Sequence, residues 1–571
     1  MSNALEQASL IMVPSGYEDG TLGSLKPTDG SGDFTFSRGS NLSATRVNAD
    51  GYIEKGYENL LLQSNTFSDA AWSKTRTSVT SGQNGYDGSS DAWLLECNEG
   101  TANVSLQQSL SSSSVVTYSV YAKAGTTNWL NIRTEAAGKS VWFDLANGVT
   151  GTEKATTIAS KIESVGNGWY RLSIVFDSCS FVRFYVVDGN NSFAVTLGAN
   201  IYIQDAMLNQ GLVAYPYKET TTAPVAGGIL EDMPRLDYSN GSCPSLLLEP
   251  QRTNLFPHSE YLNALGIKSD SLEMNTADTT SPEGIYNASK FDFASGTRYL
   301  GDSIGTLNDV VFSIFAKAGT HDFVQFVSSS TSSFTINFDL ANGTSNIIGT
   351  LPSGANYDIE DYGNEWYRIW VYYNNNGINA SNYWWVVDSL TSSRASNVST
   401  SGNMYFYGLQ LEQDATYPTS YIPTYGVSQT RLRDDITIPS SADLSIPSDS
   451  WTILWDISDE SVATGGRWFD DNLQKIQLYP TAPNKSRVYW RGIGQYIASA
   501  GGSKIIARYD GTTATEFHDG VNKGSASYSG QLPFDFYTAL GAGSGKYIFN
   551  KFIIFPTALT DSECIELTTI S

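Results

Sequence analysis

Chemistry in this 571-residue chain would have to come from carboxylates and aromatic rings, because little else is on offer. It holds three histidines, His258, His321 and His518, and no Gly-x-Ser-x-Gly, His-Glu-x-x-His, P-loop or EF-hand string. His258 and His321 flank strand starts, and His518-Asp519-Gly520 reads as a solvated hairpin turn. Adjacent acidic pairs stand at Glu360-Asp361, Asp434-Asp435 and Asp470-Asp471. Glycoside cleavage needs two carboxyl groups facing each other across a groove at roughly 5–10 Å. Neighbours on a strand point to opposite faces, so these pairs read as surface or structural residues, and no catalytic residue is assigned. Asp434 and Asp435 are candidate calcium ligands, since calcium is satisfied by carboxylate and carbonyl oxygens. No other cofactor is indicated.

Aromatic faces stack on pyranose rings while polar side chains take the hydroxyls. That makes the pair Trp384-Trp385 and the run Tyr489-Trp490-Arg491 the candidate glycan-binding residues. In a strand Trp384 and Trp385 face opposite sides, so one belongs to a core and the other to an outer face or groove. Packing competes with ligand binding at every one of these rings. Cys97, Cys179, Cys243 and Cys564 lie far apart with no Cys-x-x-Cys pair, which argues against zinc and against a disulfide-stapled scaffold.

The elements that position these residues are strands. Val115–Tyr121, Tyr170–Phe176 and Phe181–Val187 are β-branched and aromatic runs bounded by turn residues. They return at 310–315, 367–373 and 383–387 as part of a long internal repeat. Tyr118-Ser-Val-Tyr-Ala-Lys-Ala-Gly125 reappears as Phe312-Ser-Ile-Phe-Ala-Lys-Ala-Gly319, and Phe143-Asp-Leu-Ala-Asn-Gly148 as Phe338-Asp-Leu-Ala-Asn-Gly343. Gly166-Asn-Gly-Trp-Tyr-Arg-Leu172 reappears as Gly363-Asn-Glu-Trp-Tyr-Arg-Ile369, and Phe184-Tyr-Val-Val-Asp188 as Trp384-Trp-Val-Val-Asp388. The offset creeps from 194 to 200 as loops lengthen. A period near two hundred residues is that of a whole β domain, not a solenoid unit. Trp169 and Trp366 inside the Trp-Tyr-Arg phrase are structural, and Arg171 and Arg368 are expected to hydrogen-bond a nearby carbonyl or carboxylate.

The chain is therefore expected to be all-β. Its parts are a lead-in at 1–57, a first β-sandwich at 58–218, a linker at 219–251, a second sandwich at 252–425 and a third all-β domain at 426–571. The lead-in is too small for its own core and is the expected docking segment. Near the end, Thr560-Asp-Ser-Glu563 has capping-box spacing and predicts a short helix.

Charge excludes some partners. With 34 basic against 58 acidic residues, a net of −24, the chain repels nucleic-acid phosphate and anionic membranes. No window reaches transmembrane length, and the start has no basic region ahead of an apolar run, so synthesis in a cytoplasm without a signal peptide is expected.

Leu246-Leu-Leu-Glu-Pro-Gln-Arg-Thr-Asn-Leu255, the Ala-Lys-Ala-Gly strand end and Tyr407-Gly-Leu-Gln-Leu-Glu-Gln-Asp-Ala-Thr-Tyr-Pro-Thr-Ser-Tyr-Ile-Pro423 resemble the carbohydrate-binding-module-like jelly rolls of tailed-phage fibre and spike proteins. Phe36-Ser-Arg-Gly39 and Ala44-Thr-Arg-Val-Asn48 resemble the lead-in of such proteins. The first copy departs from the pattern at its end, with Tyr215-Pro-Tyr217 where the second has Thr419-Ser-Tyr-Ile-Pro423. The final segment, through Trp451-Thr-Ile-Leu-Trp-Asp456, Ile505-Ile-Ala-Arg-Tyr-Asp-Gly511 and Lys551-Phe-Ile-Ile-Phe-Pro556, is similar to concanavalin A-like (laminin-G-like) lectin domains. The resemblance implies tandem jelly rolls plus a concanavalin A-like sandwich. It implies a non-enzymatic head or tail fibre or spike subunit on the virion exterior, assembled as a homo-oligomer such as a trimer. Its partners would be other virion proteins and a host surface glycan. A polysaccharide depolymerase and a purely architectural capsid decoration are the alternatives.

Overall fold

The computed structural model describes residues 2–18, 20–39, 42–100, 104–134, 138–154, 157–239, 241–268, 272–331, 333–439, 444–459, 469–470, 476–482, 485–490, 493–528, 531–532 and 546–569. Strands dominate them throughout. At the end, the helix Asp561–Thr568 starts as its spacing predicts: the Thr560 N–H donates to the Glu563 carboxylate (2.8 Å) and the Glu563 N–H to the Thr560 hydroxyl (3.3 Å).

The repeat is strand-for-strand. In the first copy one six-stranded sheet runs Ala159–Gly166, Trp169–Phe176, Val116–Ala124, Asn200–Gln210, Ala92–Cys97, Thr77–Gln83, and faces a second six-stranded sheet. The second copy has the same order, Asn356–Asp361, Trp366–Asn374, Asp309–Ala318, Gly402–Gln413, Ala288–Phe293, Leu272–Thr279, again facing six strands. Each pair of sheets encloses its own apolar core. Even a register shift recurs, between Ser119 and Tyr121 and between Ser313 and Phe315. Opposite it the partner strand turns left-handed, at Asp205 (φ 55°) and at Gly408 (φ 62°). A β-bulge placed alike in both copies is a built feature of the sheet.

The repeated phrases serve closure. Asn59 and Asn254, both buried, donate to carbonyls of the last strand and of the exit segment: Ala206 and Lys218 in one copy, Leu409 and Ile422 in the other. Ser64 meets the Tyr217 hydroxyl and Ser259 the Tyr421 hydroxyl, each at 2.7 Å. The Trp-Tyr-Arg arginines act as expected, Arg171 donating to the Tyr215 carbonyl and Arg368 to that of Thr419. A missing partner would leave a buried polar group unsatisfied, which explains why the phrase survives in both copies while loops differ.

The fold refines the expected organisation. Residues 219–251 are more than a linker, and residues 1–57, expected to pack on a neighbour for want of a core of their own, do so. Ser245–Leu248 extends the large C-terminal sheet by pairing onto Tyr547–Phe555, Arg235–Asp237 pairs in turn onto Ser245–Leu248, and Leu10–Met12 also pairs with Tyr547–Phe555. Phe34–Ser37 pairs with Asp435–Thr437. Leu10, Met12, Phe34, Phe36, Leu246 and Leu248 share one core with Trp451, Trp455 and Phe552. Segments with two or three apolar side chains each cannot hold a core, so they bury them in the nearest large one.

Two strings singled out by resemblance, one through Arg38 and one through Glu249, meet at one buried point. Arg38, Arg235 and Arg431 surround Glu249 and Asp434, all five side chains fully buried. Arg38 lies 3.1 Å from Asp434, and Arg235 and Arg431 each lie 2.7 Å from Glu249, while Arg235 also pairs with Asp434. Asp434 is thus not a calcium ligand: its oxygens are taken by two guanidiniums, which repel a cation. Asp435 points away and pairs with Arg433 at 2.8 Å.

Candidate functional site

A cleft of about 800 Å³ lies against the second sandwich. It is set by the edge strand Asn356–Asp361, which pairs only with Trp366–Asn374. Tyr357 and Ile359 lean on the sandwich core. Alternation therefore turns Asn356, Asp358 and Glu360 to the other face, where they line the cleft. Trp370, directly across the ladder from Asp358, donates its indole N–H to Glu360 (2.7 Å).

Three other segments close the cleft. The turn after Thr45–Val47 contributes Asp50, the turn after Arg235–Asp237 contributes Tyr238, and the residue preceding Tyr547–Phe555 contributes Lys546. Tyr362, Tyr417 and Pro418 complete the wall. Tyr362 packs edge-on against Phe315 at 4.9 Å, and burial pushes its phenol up to about 12. Four carboxylates (Asp50, Asp358, Glu360, Asp361) face one lysine, so the cavity is strongly negative. Hydroxyl-rich, uncharged or cationic molecules suit such a lining, and polyanions do not.

The aromatic candidates divide as alternation requires. Trp384 is 1% exposed and stacked on Phe312 at 5.0 Å, with Phe326 and Phe338 edge-on, so it is core and not a glycan platform. Trp385 is on the outer face, half-buried, stacked on Tyr299 at 4.6 Å with Tyr383 edge-on, and it donates to the Ser396 carbonyl (3.0 Å). Trp490 is also core: fully buried, stacked on Trp451 at 5.9 Å, and donating to Glu516 (2.6 Å). Tyr489, on the other face, is half-buried beside Tyr496 (4.8 Å), whose ring lies 3.7 Å from the Arg487 guanidinium. Arg491 lies outside the described residues, as does Asp471.

His518 does end a strand at a hairpin turn, but its ring is buried, not solvated, with Nε2 2.9 Å from Glu516. His321 lies 2.7 Å from the Val387 carbonyl. The cysteines are all free thiols, with only Cys243 exposed. Among the described residues no three His, Cys, Asp or Glu side chains gather at metal-binding spacing.

Sequence reasoning missed most of the cleft. Asp358 and Glu360, two apart on a strand, carried a usable signal, since that spacing places both on one face. Asp50, Tyr238 and Lys546 carried none, because they arrive from segments hundreds of residues apart.

No protein-family model matches the chain, and no curated protein matches it. Among solved structures, it is similar to the N-terminal tandem CBM22 domains of Xyn10C from Paenibacillus barcinonensis, at 10% identity over 66% of this chain and 99% of that one, with a TM-score of 0.17. It is also similar to the LG1–3 region of the laminin alpha2 chain, at 10% identity over 81% of this chain and 97% of that one, with a TM-score of 0.16. Superposition this poor carries no weight on function, and the all-β sandwich class rests on the strand order itself.

Proposed function

We propose that this protein is a carbohydrate-binding adhesion subunit, carried as a head or tail fibre or spike on the outside of a tailed-phage particle and assembled as a homo-oligomer. The observation that carries the binding half is the acidic, aromatic-walled cleft of about 800 Å³, a size suited to a few sugar units. Its charge selects neutral or amino-sugar glycans over acidic polysaccharides. The particle half rests on the sequence resemblance across residues 32–433, and it stands or falls separately.

Wild-type protein is expected to bind neutral or amino-sugar oligosaccharides in a calorimetric or array assay and to ignore sulfated and uronate-rich ones. Asp358 is exposed and accepts only a local backbone hydrogen bond from Ile359. Asp358→Ala should therefore weaken binding about tenfold, the worth of one hydrogen bond to a charged group, with an unchanged melting temperature. Silence towards every neutral and amino-sugar glycan, or equal binding by the variant, rejects the cleft as the site. Purified particles that lack the chain by mass spectrometry reject the virion assignment.

A hydrolase is the second reading, favoured by one observation: Asp50 and Glu360 reach a single cleft from different elements. Against it, Glu360 accepts the Trp370 indole hydrogen bond. That bond occupies a carboxylate that a catalytic dyad would turn on the glycosidic oxygen or the attacking water. No reducing ends are expected to appear when the protein is incubated with a glycan it binds.

A further inference from the structure

A second constellation sits where lead-in, first copy and second copy meet, closed to solvent. Lys55 ends the short strand Ile53–Lys55, and its Nζ touches the carboxylates of both Glu260 and Glu283, the latter at 2.7 Å. The three side chains are 1%, 1% and 3% exposed. Backbone contacts hold the lysine in place. Ile53 N–H donates to the Pro282 carbonyl (2.8 Å), beside Glu283. Gly228 (φ 72°) lies so close to the Lys55 carbonyl that a Cβ there would come within 2.1 Å of it.

The hydrogen bonds around Glu260 are lopsided. Its Oε1 accepts from the hydroxyls of Tyr421 (3.2 Å) and Tyr425 (3.2 Å) as well as from Lys55, and the Tyr407 hydroxyl, whose one proton goes to Glu283, lies 3.1 Å away. Among the described residues, its buried Oε2 has no hydrogen-bond partner. Glu283 lies on the other side of the amine, its Oε2 accepting from Tyr215 (3.1 Å) and its Oε1 from Asn287 (3.2 Å) and Tyr407.

An amine held against a carboxyl group, one oxygen of that group met by the hydroxyls of Tyr421 and Tyr425, the other unbonded, and a second carboxyl within reach of the amine: these are the parts of an acyl transfer. The hydroxyls stand where an oxyanion would develop on Oε1. The free Oε2 is the leaving oxygen. Glu283 is the proton carrier, and exclusion of bulk water protects the product. Fixed proximity replaces a bimolecular encounter with an intramolecular one.

We propose that Lys55 and Glu260 condense after folding into an intramolecular isopeptide bond that staples the lead-in to the second sandwich. The Nζ lone pair attacks Cδ of Glu260, the new N–C bond forms, and the C–Oε2 bond breaks. Of the three protons on the ammonium, one stays on the amide. The other two leave with Oε2 as water, Glu283 taking the first of them from the amine it contacts. Nothing is oxidised or reduced. In support, burial first and the neighbouring Glu260 also push Glu283 up against the pull of Lys55, which favours its holding a proton. Burial acts to lower Lys55, but Glu260 and Glu283 outweigh it and hold the ammonium as the resting form. The first step is therefore proton transfer within the cluster.

Intact mass of the denatured full chain tests this without any ligand. The wild type is expected to weigh one water less than its sequence, allowing for the initiator methionine. Proteolysis is expected to release a branched peptide joining the segments around Lys55 and Glu260. Lys55→Arg should show the full mass. Glu260→Gln should lose ammonia in place of water, because the acyl carbon is retained and its leaving group changed. A wild type of full mass after prolonged incubation at neutral pH overturns the proposal. A Glu260→Gln protein that still loses water overturns Glu260 as the acyl partner.

Discussion

Asp434→Ala is expected to destabilise the fold by about 3–5 kcal/mol, the cost of breaking a buried ion pair and leaving its partner charged. Arg38 and Arg235 would then face one carboxylate fewer in a site fully closed to solvent. Asp434 Oδ2 also accepts from the Glu249 backbone N–H (2.9 Å), so a backbone donor is orphaned as well. The change should appear as a lowered denaturation midpoint, and it should spread beyond one domain, because the network joins lead-in, linker and C-terminal segment and reaches the second sandwich through Ser420, which bonds Arg235 and Glu249. The exposed pair Lys161–Glu163, 59% and 48% exposed, is the control: Glu163→Ala should cost well under about 1 kcal/mol. Equal effects for the two variants would show that the buried network contributes no more than a surface pair.

Acid should reveal the same network. Burial acts to raise Glu249, but Arg431 and Arg235 overrule it and hold its carboxyl far below the ordinary 4.5. A carboxyl depressed in the folded state stabilises it fully above its unfolded value, and that share is lost as the pH falls. Stability should thus decline below about pH 4.5 more steeply in the wild type than in a variant with Glu249, Arg235 and Arg431 replaced together by apolar residues. Urea midpoints at pH 7 and pH 3.5 measure the difference.

Trp384→Ala should cost about 3–5 kcal/mol, as for other buried aromatics cut to alanine, while Trp385→Ala, one residue on, should cost far less. Trp384 fills the second core against Phe312, Phe326 and Phe338, and a cavity among rigid rings does not collapse. The first copy places the smaller Phe184 there and lays Trp72 flat on it at 6.0 Å to fill the space. Trp385 loses mainly its outer-face stack on Tyr299. If the outer face also holds sugar, Trp385→Ala would lower glycan binding with little change in melting temperature. A similar drop in melting temperature for both variants would contradict the assignment of Trp384 to the core and Trp385 to the outside.

The chain itself determined what is local or repeated. Alternation and β-branched runs placed the strands, and the doubled phrase divided the chain into two sandwiches. Capping spacing started the last helix, and adjacency alone required one of Trp384 and Trp385 to be inside. These follow from periodicity along one strand or helix, which any segment carries whatever it packs against. It also led to the expectation that Arg171 and Arg368 would hydrogen-bond a carbonyl or a carboxylate, because a guanidinium packed in a sheet must find acceptors.

Tertiary structure decided the pairings between distant segments. Asp434 looked like half of an exposed acidic pair until Arg38, 396 residues away, closed on it. The lead-in and linker read as separate pieces because their few apolar residues have no core in sequence. Only the open edge of Tyr547–Phe555 supplies one. The cleft and the Lys55 cluster arise the same way, from Asp50, Tyr238 and Lys546 in one case and from Tyr215, Glu283 and Tyr425 in the other. Edge pairing and the burial of charge are set by which surfaces meet, and the free energy that selects them is shared between residues with no common local pattern.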